Sequence, residues 1–214
     1  MDLVDIFPAF GVRIECGPVT LRAIRESDAP RVAELAAAGI HPEASRPFLM
    51  PWNLDENQPL SSLQFYYRSW ASFTPDNWHL LFAVERDGVM VGSQDMMAES
   101  FAALRTAETG SWLGLAHQGE GTGTLMRQAI LALAFDHLGA VQMTSGAWAD
   151  NPNSHRVSAK CGYELNGYDL KLREGQAHRM DRFVVTPETF ARPPYEVVVT
   201  GLDPFLAAVG LAAS

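Results

Sequence analysis

The stretch that most constrains this chain is Gly110 to Gly139, GSWLGLAHQGEGTGTLMRQAILALAFDHLG. A short apolar run, Trp112 to Leu115, has the character of a strand. A glycine-dense turn follows, Gln118-Gly119-Glu120-Gly121-Thr122-Gly123-Thr124. Apolar positions then recur at Met126, Ala129, Ile130, Leu133 and His137, the spacing of one helix face. The order is strand, glycine loop, helix. Glycine permits positive φ and lets a ligand approach the backbone without a Cβ in the way. The first N–H groups of a helix have no internal acceptor, and the helix dipole places partial positive charge there. Together these features describe an anion site of the kind that holds phosphate. The same pattern also serves a tight turn that carries no ligand.

The details of the loop separate the phosphate-binding types. A Walker loop ends in Gly-Lys-Ser/Thr, and no Gly-Lys pair occurs in the chain. A dinucleotide-binding turn needs G-x-G-x-x-G after the first strand of a βαβ unit. Here the glycines are spaced Gly119-x-Gly121-x-Gly123, in the middle of the chain. The pattern that fits is Gln-x-x-Gly-x-Gly, from Gln118 through Gly121 to Gly123. It resembles the coenzyme A diphosphate loop of the GNAT acyltransferases.

The chain of 214 residues is long enough for one domain with a full core. We read it as a single domain over 1–214, with an N-terminal arm (1–17) and a C-terminal extension (187–214). A net charge of −9 excludes a basic nucleic-acid footprint. Cys16 and Cys161 form neither a metal spacing nor a disulfide framework, which fits a reducing compartment. The opening MDLVDIFPAFGVRIE lacks the basic start and apolar core of a signal peptide. No apolar run is long enough to span a bilayer. The expectation is a cytoplasmic protein with no membrane or nucleic-acid partner.

Before the glycine loop, Val19–Ile24 alternates as a first strand. Ser27 is a candidate N-cap, with Asp28 and Pro30 in the first turn of a helix that ends near Gly39. Ile40–Asn57 is a loop by its prolines, and it carries Phe48, Met50 and Trp52. A second helix opens at Pro59 and presents Tyr66, Tyr67 and Trp70. His79–Glu85 and Val89–Met97 form a hairpin around Asp87-Gly88. Ser100–Thr106 reads as a longer turn, and Ala107–Leu115 as the strand that feeds the loop. After Gly139 come a strand at Val141–Ala149, a short helix from Asn151 to Cys161-Gly162, and a β region turned at Gly175. The order predicts a mixed α/β (α+β) fold with a single sheet. The apolar run Leu202–Leu211 fits either a dimer contact or packing on its own domain.

A second motif lies at 151–164, NPNSHRVSAKCGYE. Asn151 and Ser154 stand at a helix start, and Gly162-Tyr163 closes the segment. Together with GSWLGLAHQGEGTG it resembles the GNAT superfamily, in particular its RimJ/RimL-type branch, over about Val19 to Val185. The resemblance implies a mostly antiparallel sheet with splayed central strands, the strand ending at Leu115 parting from Val141–Ala149. It implies an acyl-CoA co-substrate, acetyl or succinyl, with its pantetheine arm against the backbone of Leu113 and Leu115. The diphosphate would rest on Gln118, Gly119, Glu120, Gly121, Thr122, Gly123 and Thr124. Asn151, Ser154 and Arg156 would stand on the cofactor side. The acceptor would be a primary amine of a small molecule or a protein.

In such a reaction the amine attacks the thioester directly. A base takes its proton, and backbone donors steady the oxyanion. Glu108, before Gly110-Ser111-Trp112, is the candidate base or a structural carboxylate, and Glu99 is the second choice. Many members carry a tyrosine acid seven residues after the asparagine; here that position is Ser158. The resemblance implies Ser154 as the group near the departing thiolate, with no side-chain acid at all as the alternative. Phe48, Met50, Trp52, Tyr66, Tyr67, Trp70 and the hairpin near Gly175 are candidates to line the acceptor pocket, and Arg46 or Arg173 to meet a succinyl carboxylate. No H-E-x-x-H occurs, and no metal is expected. No G-x-S-x-G elbow supports a hydrolase. A non-catalytic acyl-CoA sensor on the same fold is the competing reading.

Overall fold

The structure is a computed structural model that describes residues 1–42, 47–49 and 52–211. In chain order the elements are α1 (Leu3–Ile6), β1 (Arg13–Cys16), β2 (Val19–Ala23), α2 (Ala29–Ala37), α3 (Gln58–Ala71), β3 (Asn77–Arg86), β4 (Val89–Glu99), α4 (Phe101–Leu104), β5 (Thr106–Leu113), α5 (Thr122–Ala132), β6 (Gln142–Trp148), α6 (Pro152–Lys160), β7 (Glu164–Arg173), β8 (Gln176–Val185), β9 (Val197–Thr200) and α7 (Leu202–Ala208). The described residues form one nine-stranded sheet, ordered β7-β8-β6-β5-β4-β3-β2-β1-β9. Its pairs are antiparallel except β5 with β6.

The alternation read from sequence places the core on both faces. On one face Leu21, Leu80, Phe82, Val84 and Met96 pack against α5 through Met126, Ala129, Ile130 and Leu133. On the other, Leu81, Ala83 and Met90 pack with Val32 and Leu35 of α2 and Tyr66 of α3. The hairpin turns at Asp87-Gly88 and Glu174-Gly175 all have positive φ, as two-residue turns of this hand require.

Several expectations are corrected. The N-terminal arm holds a strand of the sheet: β1 pairs with β2 on one side and β9 on the other. Its Ile14 and Cys16 are fully buried. Four residues are a short pattern to announce a strand, and one of its two partners, β9, is remote in sequence. Ser27 does not cap α2. A 3₁₀ turn spans Glu26–Asp28 first, and the Asp28 carboxylate accepts Arg25 N–H and both Arg22 Nη groups, each at 2.8 Å. Ser100–Thr106 is not a plain turn, because α4 drives Phe101 into the core. β5 ends at Leu113 rather than Leu115.

His137 is exposed and Leu138 buried instead. Beyond α5 the helix widens over Leu133–His137, with Leu138 N–H bonding Leu133 O at 3.1 Å. The extra residue in that turn rotates the inward face by one position. The extension supplies β9 and α7, whose Phe205 and Val209 are buried in the protein's own core.

Candidate active site

The central feature is a parting of strands. β5 and β6 pair only at Thr106 with Gln142, Ala107 with Met143 and Glu108 with Thr144. Beyond that point β5 runs on to Leu113 against β4, and β6 to Trp148 against β8. A V-shaped gap opens between them. Gly114 N–H bonds Val91 O at 2.9 Å. Ladder alternation therefore turns the backbone groups of Ser111 and Leu113 toward the gap. Leu115 lies past the strand, in a 3₁₀ turn. Its N–H bonds Gly39 O at 2.8 Å and its carbonyl accepts Gln118 N–H at 3.3 Å. The Leu115 backbone is thus already committed, and the Leu113 carbonyl accepts the Gln118 side-chain amide, so the Ser111 backbone and the Leu113 N–H are left to face the gap.

At the mouth of the gap lies the glycine loop. Gly119 and Gly121 both have φ of +83°, and a Cβ on either would meet nothing within 4 Å. The demand for glycine here is conformational, and the space above is open. Gly121 caps α5 and its carbonyl accepts the N–H groups of Thr124 and Leu125, both at 3.1 Å. Among the described residues, the N–H groups of Gly119, Glu120, Gly121, Thr122 and Gly123 have no protein acceptor. These donors, at the positive end of α5, suit an anion.

Two side chains hold this loop, and one of them escaped the sequence reading. Arg86, at the end of β3, donates to Glu120 O at 3.2 Å and Thr122 Oγ1 at 2.7 Å, and its Nε lies 3.9 Å from Glu120 Oε2. Its partners lie more than thirty residues away, so no local motif marks it. Gln118 donates its side-chain amide to Ile40 O at 2.6 Å and Leu113 O at 3.0 Å. That amide braces the loop against β5. Gly123 sits in ordinary contact range of Val157 and Leu113, where the loop, α6 and β5 meet.

α6 begins beside the gap. Asn151 is its N-cap, with Oδ1 accepting Ser154 N–H at 3.1 Å, and Pro152 fits the first turn. Ser154 is half-buried in that turn. Arg156 is exposed and donates to Asn153 Oδ1 on the helix surface. His155 Nε2 lies 3.1 Å from Trp148 O and 3.7 Å from Asp181 Oδ2. Ser158, at the tyrosine position of many relatives of the resembled type, is buried.

The opposite face of the gap carries carboxylates and aromatic rings. Glu108 pairs across the sheet with Met97, and Met97 with His79, so the three share a face. Gly110 pairs with Asp95 and donates its N–H to Asp95 Oδ1 at 2.5 Å. A Cβ at Gly110 would stand 2.7 Å from that oxygen, so a side chain there would displace the Asp95 carboxylate. Asp95 Oδ2 is 3.1 Å from His79 Nε2. Surrounding protein first, and then the Asp95 charge, raise the Glu108 carboxyl above its usual value, while Lys171 pulls it back in part. Glu99, at the end of β4, lies further from the gap.

Trp52 packs against Trp112 and Phe48, both at 5.4 Å between centroids, and Trp148 Nε1 donates to Phe48 O at 3.3 Å. Tyr66 is buried, whereas Trp70 packs on Phe10 and Tyr67 is exposed. Arg173 is paired with Asp150 at 2.6 Å and lies over the Trp148 ring. Arg46 and Met50 lie outside the described residues.

Residues 19–164 match the family described as the acetyltransferase (GNAT) domain. The chain belongs to the GNAT acetyltransferase family. Among solved structures it is similar to Mycobacterium smegmatis RimJ in complex with a CoA disulfide, at 19% identity and a TM-score of 0.69 over 92% of this chain and 94% of that one. It is similar to RimL, a ribosomal L7/L12 α-N-protein acetyltransferase in complex with coenzyme A, at 17% identity and a TM-score of 0.67 over 80% of this chain and 98% of that one. A spermidine N-acetyltransferase from Vibrio cholerae, in complex with CoA and spermine, is similar at 16% identity and a TM-score of 0.64 over 80% of this chain and 97% of that one. At these identities the solved structures show a shared fold.

In this GNAT chain the glycine loop, the parted strands and the start of α6 adjoin one another, and Glu108 marks the vertex where the strands rejoin. Among the described residues no cluster of three His, Cys, Asp or Glu side chains is placed to hold a metal ion. No helix among them is long and apolar enough to cross a membrane.

Proposed function

We propose that this GNAT chain is an acyl-CoA-dependent N-acyltransferase that moves an acetyl group, or a succinyl group as second donor, to a primary amine. One observation supports this above the others: strands that part beyond Glu108 and Thr144, with amides at 119–123 beside the opening that have no acceptor among the described residues. A diphosphate on those amides would start the arm of the carrier down the gap, its amide groups bonding Ser111 and Leu113. The thioester would then lie near Glu108. The amine nitrogen attacks the thioester carbonyl carbon, the C–S bond breaks, and the thiolate leaves. Glu108 takes the proton from the incoming ammonium, and a carboxyl held above its usual value is closer to the range a base needs. Ser154, in the first turn of α6, steadies the thiolate.

The acceptor face combines Glu108 and Asp95 with Phe48, Trp52 and Trp112, a lining suited to a cationic amine with an apolar body. Small polyamines and protein N-termini both meet that description. The chain would work as one domain, in the cytoplasm.

The test is release of CoA from acetyl-CoA and succinyl-CoA against a panel of amines and N-terminal peptides. Turnover by the wild type and its loss in Glu108→Ala, with CoA binding retained, is the expected result. CoA binding without turnover on any amine would favour the sensor reading. A structure of the CoA complex with nothing on the 119–123 amides would remove both.

A further inference from the structure

Arg127 of α5 is 4% exposed, yet no carboxylate among the described residues lies within ion-pair distance of it. Its partners are neutral. Nη2 donates to Ser111 Oγ at 3.0 Å and Nη1 to Ser145 Oγ at 3.2 Å, and the guanidinium lies 5.8 Å from the Tyr163 ring centroid. Its Nε is buried without a partner. Burying a full charge on neutral groups alone is costly, and an unmet donor adds to that cost. Ser111 and Ser145 stand on the two strands that part, one on each side of the gap. Ser145 Oγ also donates to Thr109 O at 3.3 Å, just beyond the last β5–β6 pair. The guanidinium therefore spans the vertex of the V from the α5 side.

We propose that Arg127 is a donor-binding residue, whose guanidinium hydrogen-bonds a carbonyl or carboxylate oxygen at the reactive end of the acyl-CoA arm. The inference rests on the acyl-CoA reading above. From Leu113 to Thr109 a strand covers about 14 Å at its usual rise. An arm that enters at the glycine loop and follows β5 brings its amide and thioester oxygens to the level of Ser111 and Ser145. An oxygen there gives the Nη groups, each holding only a serine hydroxyl, a stronger acceptor for the buried cation. Two oxygens answer this chemistry, an arm or thioester carbonyl and the free carboxylate of a dicarboxylic acyl group.

The experiment compares binding of 3′-phospho-ADP, CoA, acetyl-CoA and succinyl-CoA to the full-length wild type and to Arg127→Met, by calorimetry. The fragment 3′-phospho-ADP carries the diphosphate and lacks the arm. Arg127→Met should weaken CoA and acetyl-CoA at least tenfold and leave 3′-phospho-ADP unchanged, which assigns the contact to the arm. A loss confined to succinyl-CoA assigns it to the acyl carboxylate. Equal losses on carrier and fragment, or no loss on any, overturn the proposal. Should Arg127→Met not fold, Arg127→Lys makes the same comparison, with a smaller loss on the carriers and none on the fragment. A wild type that binds neither CoA nor the fragment would instead overturn the acyl-CoA reading itself.

Discussion

Glu108 is accessible to solvent and pulled two ways: partial desolvation by the protein around it and the Asp95 charge favour its proton, and Lys171 favours its charge. The upward pull wins, so the base form is reached at higher pH than for a free glutamate. The acid limb of kcat/KM should follow that titration, with activity rising as the proton is lost. Asp95→Asn removes a negative neighbour and should move the limb to lower pH. A pH–rate profile of the two proteins checks the direction. Glu108→Gln should lower kcat by at least about 100-fold if general-base transfer is at stake.

Asn151 and Ser154 show how one motif serves two ends. The pair reads in sequence as a ligand-side signature, and in the structure it is first a helix cap. Asn151→Ala should therefore cost about 1 kcal/mol of stability, measured by denaturant unfolding, whereas Ser154→Ala should lower turnover at an unchanged midpoint. Arg86 and Arg127 were not legible at all. Each acts on groups far along the chain, and a lone arginine in a strand end or on a helix has no local pattern to give it away.

At the level of elements, the strand–loop–helix unit was readable because its signals are local: glycines at positive φ, then a helical period. Gly121→Ala tests the conformational part. With open space around the added methyl, the penalty is that of the left-handed backbone, about 1–2 kcal/mol. It should appear as a lower melting temperature together with weaker CoA binding. Gly123→Ala has negative φ and only ordinary contacts, so its melting temperature should stay close to that of the wild type. The helical period itself misled at one place. Met126 to Leu133 face inward as read, but the widened turn after Leu133 hands the next inward place to Leu138. A fixed 3.6-residue count does not anticipate such a turn, because its cause is the packing of the following residues.

Across the whole molecule, hairpins declared themselves through their turns, while β1 and β9 stayed hidden. Each is four residues long, and β9 finds its partner β1 only on the far side of the sequence. The apolar run at 202–211 was open to two readings, and the burial of Phe205 and Val209 decides for internal packing. Deleting residues 187–214 should therefore act on folding and not on an assembly surface. Losing a buried phenylalanine side chain alone costs about 3–5 kcal/mol. The shortened protein should express poorly in soluble form and melt well below the full chain.

The same clasp sets a timetable for synthesis. The part of the chain from 19 to 164 leaves the ribosome well before residue 200, so the early sheet must wait with one rim bare on the β1 side. Bare rims recruit stray strands. The hazardous moment for this protein is thus the seconds before β9 emerges, when a chaperone has the most to protect.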